Sequence, residues 1–320
     1  MAWLLPTAVL AVVLVFATNA LSEDDFVKRV VDESEIDVNL LVGEEEFPQT
    51  RSRYDKIDAT GCGQRPLVAN NGASELVLSS KIVGGKVTVP YSWPAICSLR
   101  TSTSPTSHMC GANLVKNLAG QYYLITAAHC TSDKRAARYV AYCGIHDTAA
   151  SSQPYRFIAS FSALTVHPQY NSWTLDNDIS VFKLSTQAPT NNYISAVCIP
   201  NEGWSEGELA IVAGWGTLSS NGAAPYKLHQ VTKPIKSRAT CRQRYGASSI
   251  TDRMVCAGVP EGGIDSCQGD SGGPLYTYRE NRWTLTGIVS WGYGCAEAGR
   301  PGVYADVIEL KEWVNGVINV

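Results

Sequence analysis

The chain has 320 residues, of which 45% are hydrophobic and 17% charged, and this content supplies one large core or two moderate ones and excludes a mainly disordered protein. Its formal net charge of −3 lacks the basic excess that binds phosphates, so nucleic acid is not an expected partner. Ten cysteines favour several disulfides in an oxidising compartment over the cytosol or nucleus.

The N-terminal segment 1–20 carries no charged side chain and is almost wholly apolar from Trp3 to Ala17. An apolar run followed by small and polar residues is typical of a secretory signal peptide, with cleavage expected near Ala20. No later stretch supplies the roughly 20 apolar residues of a membrane span. The sequence therefore predicts a secreted, extracellular protein without a membrane partner.

Charge divides the rest of the chain into two parts. Residues 21–81 carry 13 acidic and 7 basic side chains, whereas residues 82–320 carry 16 acidic and 19 basic ones. The first part has few aromatic residues and one cysteine, Cys62, which favours a poorly ordered acidic pro-segment.

Residues 82–320 contain short apolar runs rich in Val, Ile, Tyr and Trp, punctuated by glycine and proline, with examples at 122–128, 209–213, 285–290 and 302–307. The gaps between the runs are too short for helices, so an all-β sandwich or barrel is predicted. The chain's end differs, because apolar residues recur there at steps of three and four and predict a C-terminal helix: Val307, Leu310, Val314, Val317 and Ile318.

Three short segments carry candidate chemistry. His129 follows a predicted buried strand in Leu-Ile-Thr-Ala-Ala-His-Cys and fits a general base, although such a histidine alone is more often structural. Asp178, in Asp-Asn-Asp-Ile, opens an apolar strand, but aspartates commonly cap turns.

The third segment, Asp-Ser-Cys-Gln-Gly-Asp-Ser-Gly-Gly-Pro-Leu, surrounds Ser271 with glycines. Small neighbours let a substrate carbonyl approach the hydroxyl, and Gly269 permits a backbone that turns N–H groups toward a developing oxyanion. A glycine-rich turn without function is the alternative, and the other two segments argue against it.

In the order His129, Asp178, Ser271, these motifs resemble the chymotrypsin/trypsin family of serine endopeptidases. The resemblance covers residues 82–320 and implies two six-stranded antiparallel β-barrels with the active site between them. It also implies that His129 is the general base, that Asp178 orients the imidazole, and that the N–H groups of Gly269 and Ser271 bind the oxyanion.

Asp265 lies six residues before Ser271, where this family has the floor of its primary specificity pocket. A buried carboxylate favours a cation, so the resemblance implies cleavage of protein or peptide substrates after Arg or Lys. An internal ion pair of Asp265 is the alternative. The other residues of the implied pocket are Ser266, Ser290, Trp291, Gly292 and Gly302.

The junction Lys81-Ile82-Val83-Gly84-Gly85 resembles the family's activation site. Cleavage after Lys81 would free the amino group of Ile82, which in the family pairs with the residue corresponding to Asp270 and orders the oxyanion hole and pocket. The chain is thus predicted to be a zymogen, activated by another protease or by itself, because Lys81 suits a pocket with Asp265. Protein inhibitors are further expected partners.

Family positions imply four disulfides, one of which keeps the pro-segment attached: Cys110–Cys130, Cys241–Cys256, Cys267–Cys295 and the tether Cys62–Cys198. Cys97 and Cys143 match no usual pair, but they fall in segments that resemble neighbouring strands, which predicts a fifth bridge. A bridge that the family often has is missing, because Ala210 and Thr277 occupy its positions.

No cofactor or metal ion is expected. The stretch 145–153 holds one carboxylate, fewer than the six to eight oxygen ligands of calcium require. A zinc site is the alternative to a disulfide for one group of residues: His108, Cys110, His129 and Cys130.

Two other classes of function remain as alternatives. A catalytically silent homologue would act as a binding or cofactor protein, but such homologues usually lack one of the three catalytic residues, and all three are present. A simple esterase is weaker still, because the Gly-x-Ser-x-Gly at 269–273 does not lie in a strand-to-helix elbow.

Overall fold

The computed structural model describes residues 61–77 and 85–319. The predicted signal peptide and most of the predicted pro-segment, with Lys81 and Ile82, lie outside these residues. Among the described residues no helix has the length and apolar character needed to cross a membrane.

The first sheet is antiparallel and has seven strands: β2 Ile96–Thr101, β3 Cys110–Lys116, β4 Tyr122–Thr126, β5 Tyr139–Cys143, β6 Phe157–Ala159, β7 Phe161–Val166 and β8 Ser180–Leu184. They lie in the order β6-β5-β2-β3-β4-β8-β7. The edge strands β6 and β7 are separated in the chain by Ser160 alone, so the two edges of the sheet meet and the sheet curls into a barrel.

The second sheet has seven strands: β1 Lys86–Val87, β9 Leu209–Gly214, β10 His229–Lys236, β11 Met254–Ala257, β12 Pro274–Arg279, β13 Arg282–Trp291 and β14 Gly302–Asp306. It is a closed barrel, because β10 pairs with both β9 and β11. Six strands form the ring, and the short β1 pairs with β10 outside it. The predicted all-β fold of two barrels is confirmed. Each sheet has seven strands where six were predicted, because β1 is added to the second and the break at Ser160 divides β6 from β7 in the first.

In the described part of the chain two α-helices pack against the sheets: α1 Arg238–Tyr245 on the second barrel and α2 Val307–Ile318 on strands of both. The side chain of Asp306 caps the start of α2 by accepting a hydrogen bond from Ile308 N at 3.1 Å, as an N-cap residue does. The buried face of α2 includes Val307, Leu310, Val314 and Ile318, so the predicted C-terminal helix is present with the expected stripe. Short 3-10 segments lie at Ala69–Glu75, Ala128–Thr131 and Ala136–Arg138.

Five disulfides join the ten cysteines, and they are the five predicted pairs: Cys62–Cys198, Cys97–Cys143, Cys110–Cys130, Cys241–Cys256 and Cys267–Cys295. The Cys97–Cys143 bridge joins residues that face each other on β2 and β5. Where the family bridge is missing, Thr277 on β12 lies opposite Ala210 on β9. Thr277 Oγ1 hydrogen bonds there with Thr284 and Thr286 at 2.9 and 2.7 Å.

The expectation of a poorly ordered pro-segment is wrong for residues 61–77, which pack against the second barrel. Gly63 hydrogen bonds through its N and O to Ala196 O and Trp283 N, both at 2.9 Å. Thr232 Oγ1 donates to Glu75 O at 3.1 Å. Composition predicted disorder because this stretch has few apolar residues, whereas its contacts are polar and backbone-mediated.

Arg65 is the main anchor of this segment, with a side chain that is 1% exposed. Its guanidinium donates to Glu75 Oε2 at 2.6 Å and to Ser92 O at 2.7 Å. It also lies over the ring of Trp93, with Cζ 3.6 Å from the ring centroid, a favourable cation–π arrangement. The segment is thus fixed by an ion pair and an aromatic contact as well as by the Cys62–Cys198 bridge.

Candidate active site

The imidazole of His129 is held by a buried carboxylate. His129 lies in the 3-10 turn after β4, and Asp178 lies just before β8 and has no exposed surface. Asp178 Oδ2 accepts from His129 Nδ1 at 2.7 Å, and Oδ1 accepts from His129 N at 2.9 Å. With Nδ1–H donated to the carboxylate, Nε2 is the basic nitrogen of the ring.

Asp178 has a second side-chain partner, since Ser290 Oγ donates to Asp178 Oδ2 at 2.6 Å. The sequence predicted Ser290 only as a wall of the specificity pocket. Its position near the end of β13 lets it contact the carboxylate and line the cavity described below. Ser290 therefore connects Asp178 to that cavity.

Ser271 lies at the end of the loop that precedes β12, close to strands of both barrels. Its carbonyl oxygen accepts from Gly111 N on β3 at 2.8 Å, and Gly272 N donates to Val289 O on β13 at 2.9 Å. The hydrogen bonds of the described residues include none between Ser271 Oγ and His129 Nε2. Such catalytic bonds are often long without substrate, so the arrangement still fits a nucleophile and its base.

Gly269, the predicted oxyanion donor, has a φ of +97°, a conformation that favours glycine. The side chain of His108 holds its carbonyl group, with Nε2 2.9 Å from Gly269 O and Nδ1 2.8 Å from Ser98 Oγ. Burial lowers the pKa of His108 to about 4, so a neutral ring donates Nε2–H to the carbonyl. Sequence reasoning considered His108 only as a zinc ligand and missed this contact with the nucleophile loop.

Asp270, the residue before Ser271, is buried and is bound by backbone donors. Its Oδ1 accepts from Gly216 N at 2.8 Å and its Oδ2 from Cys267 N at 2.9 Å. In the described part of the chain no side-chain cation forms an ion pair with it, and burial raises its pKa to about 6. The predicted partner, the amino group of Ile82, lies outside the described residues.

A cavity of about 150 Å³ is lined by both Asp265 and Ser271. All other predicted pocket residues line it too: Ser266, Ser290, Trp291, Gly292 and Gly302. Ser266 Oγ lies 3.2 Å from the hydroxyl of Tyr304. The structure thus brings the predicted pocket residues together with Ser271.

Asp265 already has a cationic partner, the ammonium of Lys233, which contacts Oδ1. Lys233 lies on β10, and its side chain has no exposed surface. The internal ion pair, the alternative in the sequence analysis, is therefore present. Sequence reasoning missed Lys233 because a lysine in His-Gln-Val-Thr-Lys-Pro-Ile-Lys carries no signal that its amine points inward.

The structure also decides between zinc and a disulfide at His129. Cys110, His129 and Cys130 place possible ligand atoms within 4.8 Å of one another, but the two sulfurs are bonded to each other. Zinc binds cysteine as the free thiolate, so this cluster does not offer the donors of a zinc site.

Comparison with known proteins agrees with this geometry. A family model described as Trypsin matches residues 82–314. The chain is 41% identical to Trypsin-1 of Astacus astacus over 239 residues, which cover 73% of this chain and 98% of that protein. It is 40% identical to Trypsin-2 of Salmo salar over 238 residues, covering 74% and 95%. Trypsin-1 of Salmo salar is 39% identical over 247 residues, covering 77% and 95%.

The matched region contains the paired His129 and Asp178, the glycine-flanked Ser271 and both barrels. The chain therefore belongs to the trypsin family of serine endopeptidases.

Proposed function

We propose that this chain is the single-chain precursor of a secreted serine endopeptidase that becomes active after cleavage at Lys81. The observation that carries the proposal is the pairing of His129 with the buried Asp178, which Ser290 joins to the cavity that Ser271 lines. Five disulfides fit an oxidising compartment. The expected substrates are proteins and peptides.

In the proposed mechanism, Ser271 Oγ attacks the scissile carbonyl while His129 Nε2 takes the hydroxyl proton. Asp178 stabilises the imidazolium that forms, and its two hydrogen bonds to His129 keep the ring in one orientation. The N–H groups of Gly269 and Ser271 bind the oxyanion. His129 then protonates the leaving amine, and water hydrolyses the acyl-enzyme by the reverse sequence.

Activation would proceed through Asp270. Its buried carboxylate has backbone donors at both oxygens and a raised pKa, as expected of a group that awaits a cation. Cleavage after Lys81 would supply that cation as the new ammonium of Ile82. The Cys62–Cys198 bridge and the contacts of Arg65 would keep residues 61–77 attached afterwards.

The side chain that the pocket accepts depends on the charge that Asp265 retains. Asp265 and the trypsin relatives support the predicted cleavage after Arg or Lys. The contact between Lys233 and Asp265 opposes it, because a substrate cation would meet a carboxylate that is already neutralised.

The proposed endopeptidase activity is tested with the purified precursor and a denatured, dye-labelled protein substrate that offers every type of side chain. We expect digestion only after the precursor is cut at Lys81. A Ser271→Ala variant that is cut in the same way should release no more dye than the cutting protease alone. Equal digestion by the cut wild type and the cut Ser271→Ala variant would contradict the proposal.

A further inference from the structure

The floor of the specificity pocket contains a complete ion pair. The ammonium of Lys233 contacts Asp265 Oδ1, and the two side chains are 0% and 6% exposed. Lys233 Nζ also lies 5.0 Å from the ring centroid of Tyr304. Asp265 Oδ1 takes a further hydrogen bond from Ser266 N at 2.8 Å. The carboxylate thus has a cation and a backbone donor before any substrate arrives.

The charged end of Lys233 is enclosed by the protein, because its side chain has no exposed surface. It lies on β10, which pairs with β9 on one side and β11 on the other within the closed barrel. Burial by itself lowers the pKa of Lys233, but Asp265 and Tyr304 more than offset this and raise it above its ordinary value. A charged ammonium without exposed surface needs its counter-ion, so Lys233 cannot release Asp265 without a large penalty.

The buried charges around the nucleophile loop leave no carboxylate for a cationic substrate. Asp265 is paired with Lys233, and under the proposed activation Asp270 pairs with the ammonium of Ile82. An Arg or Lys side chain in the cavity would therefore add an unbalanced buried charge, which is strongly unfavourable.

The size of the cavity suits a large uncharged group. Its volume of about 150 Å³ equals that of an engineered protein cavity that binds benzene. The wall at Gly292 is open, since a Cβ there would find Gly302 Cα, at 3.9 Å, as its nearest neighbour. A flat ring or a long aliphatic chain can thus enter beside Ser290 and Trp291.

We propose that Lys233 determines specificity by neutralising Asp265, so that the pocket takes aromatic or long aliphatic side chains in preference to Arg and Lys. This inference rests on the proposed endopeptidase function. It also means that the bond after Lys81 is a poor substrate for the enzyme itself, so that activation requires a second protease.

The test compares activated wild type with Lys233→Met, which removes the ammonium but keeps a side chain of similar length. Each precursor is cut with immobilised trypsin, and the active sites are counted by titration with a serine-directed fluorophosphonate. The value of kcat/KM is then measured on peptide reporters that end in Phe, Leu, Arg or Lys. Ser271→Ala, cut in parallel, gives the background of residual trypsin. Lys236→Met, on the same strand, is the matched control.

We expect wild type and Lys236→Met to favour Phe or Leu over Arg and Lys by at least about tenfold. Lys233→Met should raise the ratio of Arg to Phe hydrolysis by about 10²-fold, the scale of a hydrogen bond between charged groups. Because that variant leaves Asp265 buried without a cation, it can fail to fold. The double variant Lys233→Met, Asp265→Ser removes both charges and should keep the wild-type order.

A wild type that favours Arg or Lys overturns the inference while leaving the endopeptidase function intact. So does a folded Lys233→Met whose Arg to Phe ratio is unchanged, or a double variant that gains Arg cleavage. If the fluorophosphonate finds no active sites in any cut precursor, the proposed function fails and the inference fails with it.

Discussion

The residues proposed to be catalytic depend on a few short contacts around Asp178. This carboxylate has no exposed surface and accepts from His129 Nδ1, His129 N and Ser290 Oγ at 2.6–2.9 Å. Three donors hold this buried carboxylate in place, and its bond to Nδ1 fixes the orientation of the His129 ring. The tautomer of His129 is therefore set by Asp178.

Changing Asp178 to Asn should lower kcat by about 10⁴-fold, because an amide that donates to Nδ1 leaves the proton on Nε2. Steady-state kinetics of the cut enzyme checks this. Thr174→Ala, in the same loop but exposed, is the control and should keep wild-type activity. A loss of less than tenfold for Asp178→Asn would contradict the assigned role.

Asp270 should make the stability of the precursor depend on pH. Burial raises its pKa from 3.8 to about 6, so the folded state binds this proton more tightly than the unfolded state. Its contribution to stability is therefore full below about pH 4 and is lost as the pH rises through about 6.

Urea unfolding of the uncut Ser271→Ala precursor with and without Asp270→Asn measures this effect. The free energy of unfolding of the protein that keeps Asp270, relative to the Asp270→Asn variant, should fall by up to about 3 kcal/mol between pH 4 and pH 7. Lys233 and Asp265, the charged side chains that act on Asp270, are the same in both proteins. If this difference in the free energy of unfolding stays constant or grows as the pH rises, burial does not raise the pKa of Asp270.

The sequence predicted those site residues that lie in recognisable short motifs. His129, Asp178, Ser271 and Asp265 stand in such motifs. The structure pairs His129 with Asp178 and places Asp265 and Ser271 in the lining of one cavity. Lys233 and His108 could not be predicted in their roles, because each acts on a loop that lies far away in sequence. Only the folded barrels show that the Lys233 ammonium points at Asp265 and that His108 reaches Gly269.

At the scale of elements, periodic patterns predicted the fold well. The apolar runs became strands of two barrels, and the steps of three and four residues became α2 Val307–Ile318. The ordered packing of segment 61–77 was not predicted, because composition indicates only whether a segment can form a core of its own. This segment instead docks on an existing core through Arg65, Asn71 and backbone hydrogen bonds.

Removing the Arg65 side chain should weaken this docking. Arg65→Ala leaves Glu75, whose side chain is 16% exposed, with the ammonium of Lys86 at 3.8 Å as its remaining cation. The cost should therefore lie below the about 3–5 kcal/mol of a buried pair whose remaining charge has no partner. We expect a lower midpoint of urea unfolding and faster proteolysis within 61–77, while Cys62–Cys198 keeps the segment covalently attached. Gln64→Ala, next to it and exposed, is the control, and an unchanged Arg65→Ala would show that the disulfide alone holds the segment.

At the level of the whole molecule, contacts from both barrels converge on the loop that carries Gly269, Asp270 and Ser271. Backbone hydrogen bonds from β3 and β13 hold the nucleophile loop, His108 holds Gly269, and Asp270 lies buried directly before Ser271. A new ammonium at Asp270 would therefore act on the same loop that carries Gly269 and Ser271.

The most direct test of this account is covalent labelling of Ser271 by a small fluorophosphonate, which does not depend on the specificity pocket. The precursor is labelled before and after cleavage at Lys81, and mass spectrometry of the Ser271 peptide reports the modified fraction. We expect labelling only after the cut, with Ile82 as the new N-terminus, and none in His129→Ala. Equal labelling before and after the cut, or an unlabelled Ser271 in a correctly cut chain, would contradict it.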